Sequence, residues 1–106
     1  MAHEQAEEFL YNEAGYLSWI QAHPTGFVLH TERLRNPYYM ILHRANCHLI
    51  SRYSARVRPG GFTERDFMKV CAMDVETLRM WVRAHGRPDG SFSSECAACR
   101  PTAGSP

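Results

Sequence analysis

Two short motifs, nearly half the chain apart, constrain this sequence most. His43-x3-Cys47 closes an apolar run, and Cys96-x2-Cys99 sits in a stretch rich in proline, glycine and serine. A Cys-x2-Cys pair in a tight turn aims two thiolates at one cation. An x3 spacing in a turn brings an imidazole and a thiolate together locally. One imidazole and three thiolates complete a tetrahedral Zn2+ site. The motifs therefore predict a metal staple through His43, Cys47, Cys96 and Cys99. Any fold of this chain must carry its C-terminal stretch back to the apolar run.

Other readings of these cysteines exist. Cys71, inside a strand-like segment, reads most simply as a small buried hydrophobe. It is also the alternative fourth ligand, which would replace His43 and give an all-thiolate site. A redox role for the Cys96–Cys99 pair would want the motif to open a helix in a thioredoxin-like unit. Here a predicted helix precedes the pair and Pro101 follows closely.

At 106 residues the chain is expected to form one domain, at the small end where a metal commonly supplements the core. Its 44% hydrophobic content argues against disorder. No apolar run approaches the roughly 18 residues of a membrane span, so no membrane partner is expected. The acidic start lacks the basic residues and apolar stretch of a signal peptide, and the expected location is cytoplasmic, where thiols stay reduced.

The predicted fold class is α+β: a small zinc-stapled domain with about three strands and two main helices. Asn12 can cap a helix to about Ala22, with Ala14, Leu17 and Ile20 at helical spacing and Tyr16 and Trp19 widening the stripe. Pro24 and Gly26 end it. Residues 26–31 and 38–43 read as strands, the second more buried, and residues 44–51 as a turn into a short helix. Residues 66–73 read as a third strand, with Phe67, Lys69 and Cys71 on one face and Met68 and Val70 on the other. Asp74 caps a helix over 75–85, and Gly86 stops it. The expected organisation is an acidic leader or first helical turn over 1–11, one zinc-binding domain over 12–101, and a flexible tail over 102–106. The two helices share an echo, "WIQAH" at 19–23 and "WVRAH" at 81–85, too short to indicate duplication.

Charge is unevenly distributed. Residues 1–32 hold the acids Glu4, Glu7, Glu8, Glu13 and Glu32 and no Lys or Arg; residues 33–58 hold Arg33, Arg35, Arg44, Arg52, Arg56 and Arg58 and no acid. An acid-free arginine segment beside a metal loop is a candidate phosphate-binding face.

The string "HRANC … ECAACRP" resembles the N-terminal zinc module of the Ada-type DNA alkyl-phosphotriester repair proteins. The family pattern is a metal ligand, Arg, two residues and Cys, then a strand and a helix, then Cys-x2-Cys followed by Pro. His43, Arg44, Cys47, the 66–73 strand, the 75–85 helix, Cys96, Cys99 and Pro101 match it in order. The resemblance covers about residues 38–101. It implies a structural zinc and a DNA-facing surface. Two departures stand out. The family's first ligand is the cysteine that accepts the methyl group, and His43 replaces it. The Cys47–Cys96 separation is also longer than in the family, mainly through the basic segment 51–65.

Three functions fit. The first is a zinc module that binds nucleic acid, DNA or RNA, through Arg44, Arg52, Arg56 and Arg58, with Tyr53 available to stack. The second is a zinc-stapled protein-interaction or accessory module. The third is a small nuclease-like enzyme using His30 or His48 with Arg44. A zinc held by four protein ligands has no open position for water, which argues against metal-assisted hydrolysis. No catalytic residue is therefore assigned.

Overall fold

A computed structural model describes residues 5–103 and shows an α+β domain with five strands and two helices. The elements are β1 (Glu7–Phe9), α1 (Glu13–Ala22), β2 (Phe27–Glu32), β3 (Met40–Arg44), β4 (Phe67–Ala72), α2 (Val75–Ala84) and β5 (Ser94–Glu95). The expected short helix after β3 is a single 3-10 turn, His48–Ile50. The strands form one sheet in the order β1-β4-β2-β3-β5. β1 and β2 both run antiparallel to β4, and β5 runs parallel to β3. Each helix therefore bridges two parallel strands that are not neighbours: α1 links β1 to β2, and α2 links β4 to β5.

Both helix starts follow their sequence signals. The Asn12 side chain accepts from Gly15 N–H, and Asp74 accepts from Thr77 N–H. Gly86, at φ +109°, ends α2 in a conformation that favours glycine.

Strand alternation divides the core in two. Val28, Cys71 and Phe9 pack with Tyr16, Trp19 and Ile20 of α1 on one face. Leu29, Leu42, Met68 and Val70 pack with Leu78, Trp81 and Val82 of α2 on the other. With a helix on each face, both sides of β4 are buried, Lys69 included.

Two strands depart from the sequence expectation. Residues 7–9, expected in a leader or first helical turn, form β1, with Glu7, Glu8 and Phe9 opposite Cys71, Val70 and Lys69. Glutamate has low strand preference, so the pairing comes from β4 rather than from local propensity. β5, expected as loop, has only two residues and is likewise set by its partner. The stripe of α1 is also rotated. Glu13, Tyr16, Trp19 and Ile20 are buried, whereas Ala14 is exposed and Leu17 half-buried. Of the expected flexible tail, residues 104–106 lie outside the described residues, and Ala103 N–H donates to Arg100 C=O in a turn. No helix among the described residues is long and apolar enough to cross a membrane.

The echo between the helices has a structural counterpart. Trp19 Nε1 donates to Glu7 Oε2 (2.9 Å), and Trp81 Nε1 donates to Glu8 Oε2 (2.8 Å). Each indole stacks on the histidine four residues later, at 4.3 Å for His23 and 3.9 Å for His85. The Nδ1 of each histidine lies within hydrogen-bond distance of the tryptophan carbonyl oxygen, at 2.9 and 2.7 Å.

Candidate metal centre and the basic loop

The β3–β5 pairing builds the centre. Leu42 lies opposite Glu95, and Cys96 N–H donates to Leu42 C=O (2.9 Å), which sets Cys96 beside His43. Cys47 arrives through the turn after β3, closed by its N–H on Arg44 C=O (3.0 Å). A second turn, Arg100 N–H to Cys96 C=O (2.8 Å), folds Cys99 back. His43, Cys47, Cys96 and Cys99 consequently gather their ligand atoms within 4.8 Å of one another and can hold a metal ion. His43, Cys47 and Cys96 are buried and Cys99 is half-buried.

The sulfur geometry and its surroundings suit a cation. Cys47 Sγ and Cys96 Sγ are 3.9 Å apart. Two thiolates on a tetrahedral ion with metal–sulfur bonds of about 2.3 Å lie about 3.8 Å apart. Every sulfur also receives backbone N–H groups: Leu49 on Cys47, Ala98 and Cys99 on Cys96, and Arg44 on Cys99 at 3.2 Å. Such donors stabilise negative charge on sulfur, which a neutral thiol does not need.

Titration behaviour follows from burial. Burial and the neighbouring Cys99 and Cys96 push Cys47 up to about 12, against the Leu49 N–H. Burial also raises Cys99, whereas at Cys96 the N–H groups of Cys99 and Ala98 outweigh burial and lower it. Burial, helped by the Lys69 charge, lowers His43 to about 4, so its imidazole is neutral and free to ligate.

Cys71 lies outside this group. His43 and Cys71 sit opposite Val28 on the two strands flanking β2. They are therefore separated by two strand spacings, roughly 9–10 Å.

Arg44 and the other arginines differ in their surroundings. Arg44 Nε donates to Cys99 C=O (2.9 Å), and its Nη2 to Arg100 and Ala103 C=O (3.0 Å each). Its guanidinium thus ties the Cys96–Cys99 turn to β3. Arg52, Arg56 and Arg58 are exposed, and the ion pairs among the described residues, Arg35–Glu8 and Arg83–Glu76, involve none of them. Tyr53 stacks on Phe62 (5.3 Å, 16° between planes) and keeps 42% of its surface exposed.

The basic loop is organised by a residue the sequence reading assigned only to the acidic segment. Glu13 is 7% exposed. Its Oε2 accepts from Tyr53 OH, Gly60 N–H and Phe62 N–H, and its Oε1 from Thr63 N–H and Thr63 OH, at 2.7 to 3.2 Å. Burial raises its pKa, but the donors from Phe62, Thr63 and Tyr53 more than reverse this and hold it below the ordinary carboxylate value. The hydrophobic pattern gives no signal for a buried glutamate at the first turn of a helix.

The sequence reading gave Lys69 no role beyond a polar strand position, and considered His30 only for the nuclease-like function. Lys69 is the chain's one lysine beside eleven arginines, and it lies in an otherwise apolar strand; that contrast was its available signal. It is 1% exposed, and burial lowers its pKa to about 7. Comparison of the chain with known protein families, curated proteins and solved structures finds no match.

Proposed function

We propose that this chain is a structural-zinc module that binds nucleic acid, DNA foremost, through Arg52, Arg56 and Arg58. The observation that carries the reading is the closed donor set, one neutral imidazole and three sulfurs supplied with N–H groups. That set suits Zn2+, the borderline-soft ion of mixed Cys/His sites. His43, Cys47, Cys96 and Cys99 would hold it, and it would supply a cross-link between β3 and the C-terminal turn. Four protein ligands leave no open position, so the ion's role is architectural.

The nucleic-acid face is the loop that follows. Its arginines are exposed and carry no carboxylate partner among the described residues, which leaves phosphate as a natural counter-charge. Glu13 holds the loop backbone in one shape, so these cations are presented from a fixed platform. The exposed ring of Tyr53 is available to a base. Arg44 acts as a strut for the metal turn rather than as a phosphate contact. The resemblance to the Ada-type zinc module points the same way, with His43 in place of the methyl acceptor.

Electrophoretic shift with DNA and RNA panels at two salt concentrations, on protein whose zinc content has been measured, tests the reading. One zinc per chain and salt-sensitive binding are expected. Stoichiometric zinc without binding at low salt would leave the staple and remove the nucleic-acid role.

A further inference from the structure

A second feature lies on the α1-side face of the sheet, next to the metal centre. It is a cavity of about 540 Å³ between β2, β3, β4 and the basic loop. That volume is within the range of small-molecule sites, about 300–1,000 Å³. Its lining includes Lys69, His30, Arg56 and the rings of Tyr39, Phe62 and Phe67. Among the described residues no carboxylate lines it.

Lys69 is the unusual group. Its Nζ donates to Phe62 C=O (2.7 Å), and none of the ion pairs among the described residues involves it. The rings of Phe62, Tyr16 and Phe67 lie 5.5 to 6.0 Å from the nitrogen. They offset part of the cost of burying an ammonium but do not neutralise it. Glu13, ionised and in the same half of the core, favours the charged lysine from a distance, but its oxygens accept from five neutral donors and it forms no ion pair with Lys69. The chain uses arginine at every other basic position, so an amine in this cavity is a distinctive choice. His30 adds a second unsatisfied group. Its Nε2 meets Tyr39 OH at 3.3 Å, while its buried Nδ1 has no partner among the described residues. Nδ1 is thus a buried polar atom left for a ligand to satisfy, as a donor or an acceptor according to the tautomer.

We infer that the cavity binds a small organic anion with a planar apolar body, its anionic head between Lys69 and Arg56 and its ring among Tyr39, Phe62 and Phe67. The head supplies a contact partner for Lys69 that no carboxylate among the described residues provides, and the aromatic walls match the body. Arg56, exposed, serves as the entry-side cation. The site borders the proposed phosphate face and shares Arg56 with it, whereas Lys69, which is buried, belongs to the cavity alone.

The lone lysine makes the test specific. Zinc-loaded protein carrying 13C-lysine shows one ε-methylene resonance, and its shift can be followed during titration with benzoate, phenyl phosphate, inorganic phosphate or benzyl alcohol. Benzoate or phenyl phosphate should shift it saturably, with at least tenfold higher affinity than either benzyl alcohol or inorganic phosphate. Lys69→Met, which keeps the apolar stem and removes the buried charge, should weaken binding at least tenfold with zinc content retained. Arg56→Ala, at an exposed position that does not threaten folding, should weaken it several-fold. The inference is overturned if the lysine signal shows no saturable shift with either aromatic anion. It is equally overturned if benzyl alcohol binds as well as benzoate, or if Arg56→Ala binds both anions as the parent does.

Discussion

Replacing Glu13 by alanine should be among the most damaging single changes outside the metal ligands. The carboxylate receives five hydrogen bonds, and it is 7% exposed. Removing it leaves the N–H groups of Phe62 and Thr63 and the hydroxyl of Thr63 in a buried site without an acceptor. Each such orphan costs about 1–3 kcal/mol, and water entering the space left by the side chain recovers part of it. A net loss of about 3–5 kcal/mol is expected, against a total stability of about 5–15 kcal/mol for a chain of this length. Glu13→Gln keeps the shape but turns an NH2 toward donors, and should cost about 1.5–3 kcal/mol. The folded pKa lies below the unfolded value, so the ionised carboxylate's contribution is fully present above about pH 4.5 and fades as pH falls through the folded pKa. Urea unfolding of parent, Glu13→Ala and Glu13→Gln at pH 7 and at stepped acidic pH reads both effects. The gap between parent and Glu13→Gln should close in acid, while acid sensitivity from other depressed carboxylates such as Glu8 remains. A loss below about 1 kcal/mol for Glu13→Ala at pH 7 would refute the hub role.

Other outcomes follow from the same structure. Stripping the metal with a chelator under reducing conditions should lower the melting temperature sharply and release the C-terminal turn, because binding free energy at such sites is folding free energy; an unchanged melting curve after verified zinc loss would count against the staple. Arg44→Ala removes three hydrogen bonds to the Cys99, Arg100 and Ala103 carbonyls and should weaken metal affinity about 10–100-fold in a competition titration; parent-like affinity would show that the turn holds itself. Replacing Arg52, Arg56 and Arg58 together by alanine should flatten the log–log salt dependence of DNA binding by about two to three units, with melting temperature almost unchanged. Binding equal to the parent at every salt concentration would make the loop a bystander.

The parts of this structure legible in the sequence were those with a local cause. The helix starts at Asn12 and Asp74, the stop at Gly86 and the three long strands follow from caps, glycine and apolar runs. The metal cluster was legible because its two motifs carry chemistry in their spacing. β1 and β5 were not, because three and two residues carry no period and gain their shape from β4 and β3. The burial of Glu13 and Lys69 was hidden for a related reason. Charged residues read as surface until a distant loop is known to cover them, and residues 60–63 do so for both. The tie of Arg44 to the metal turn was not legible either, because its three acceptors lie more than fifty positions away.

The dipeptide Glu7–Glu8 gives the tryptophan–histidine echo a structural meaning. Neighbours on a strand point to opposite faces, so this one pair meets both indoles and fastens each helix to the same short edge strand. In each half "W-x3-H" meets the same local requirement, the end of a helix beside a glutamate. β1 therefore works as a common hinge pin: a loosened N-terminal segment would free both layers at once. Amide exchange in α1 and α2 would then rise together, although the two helices lie on opposite faces of the sheet.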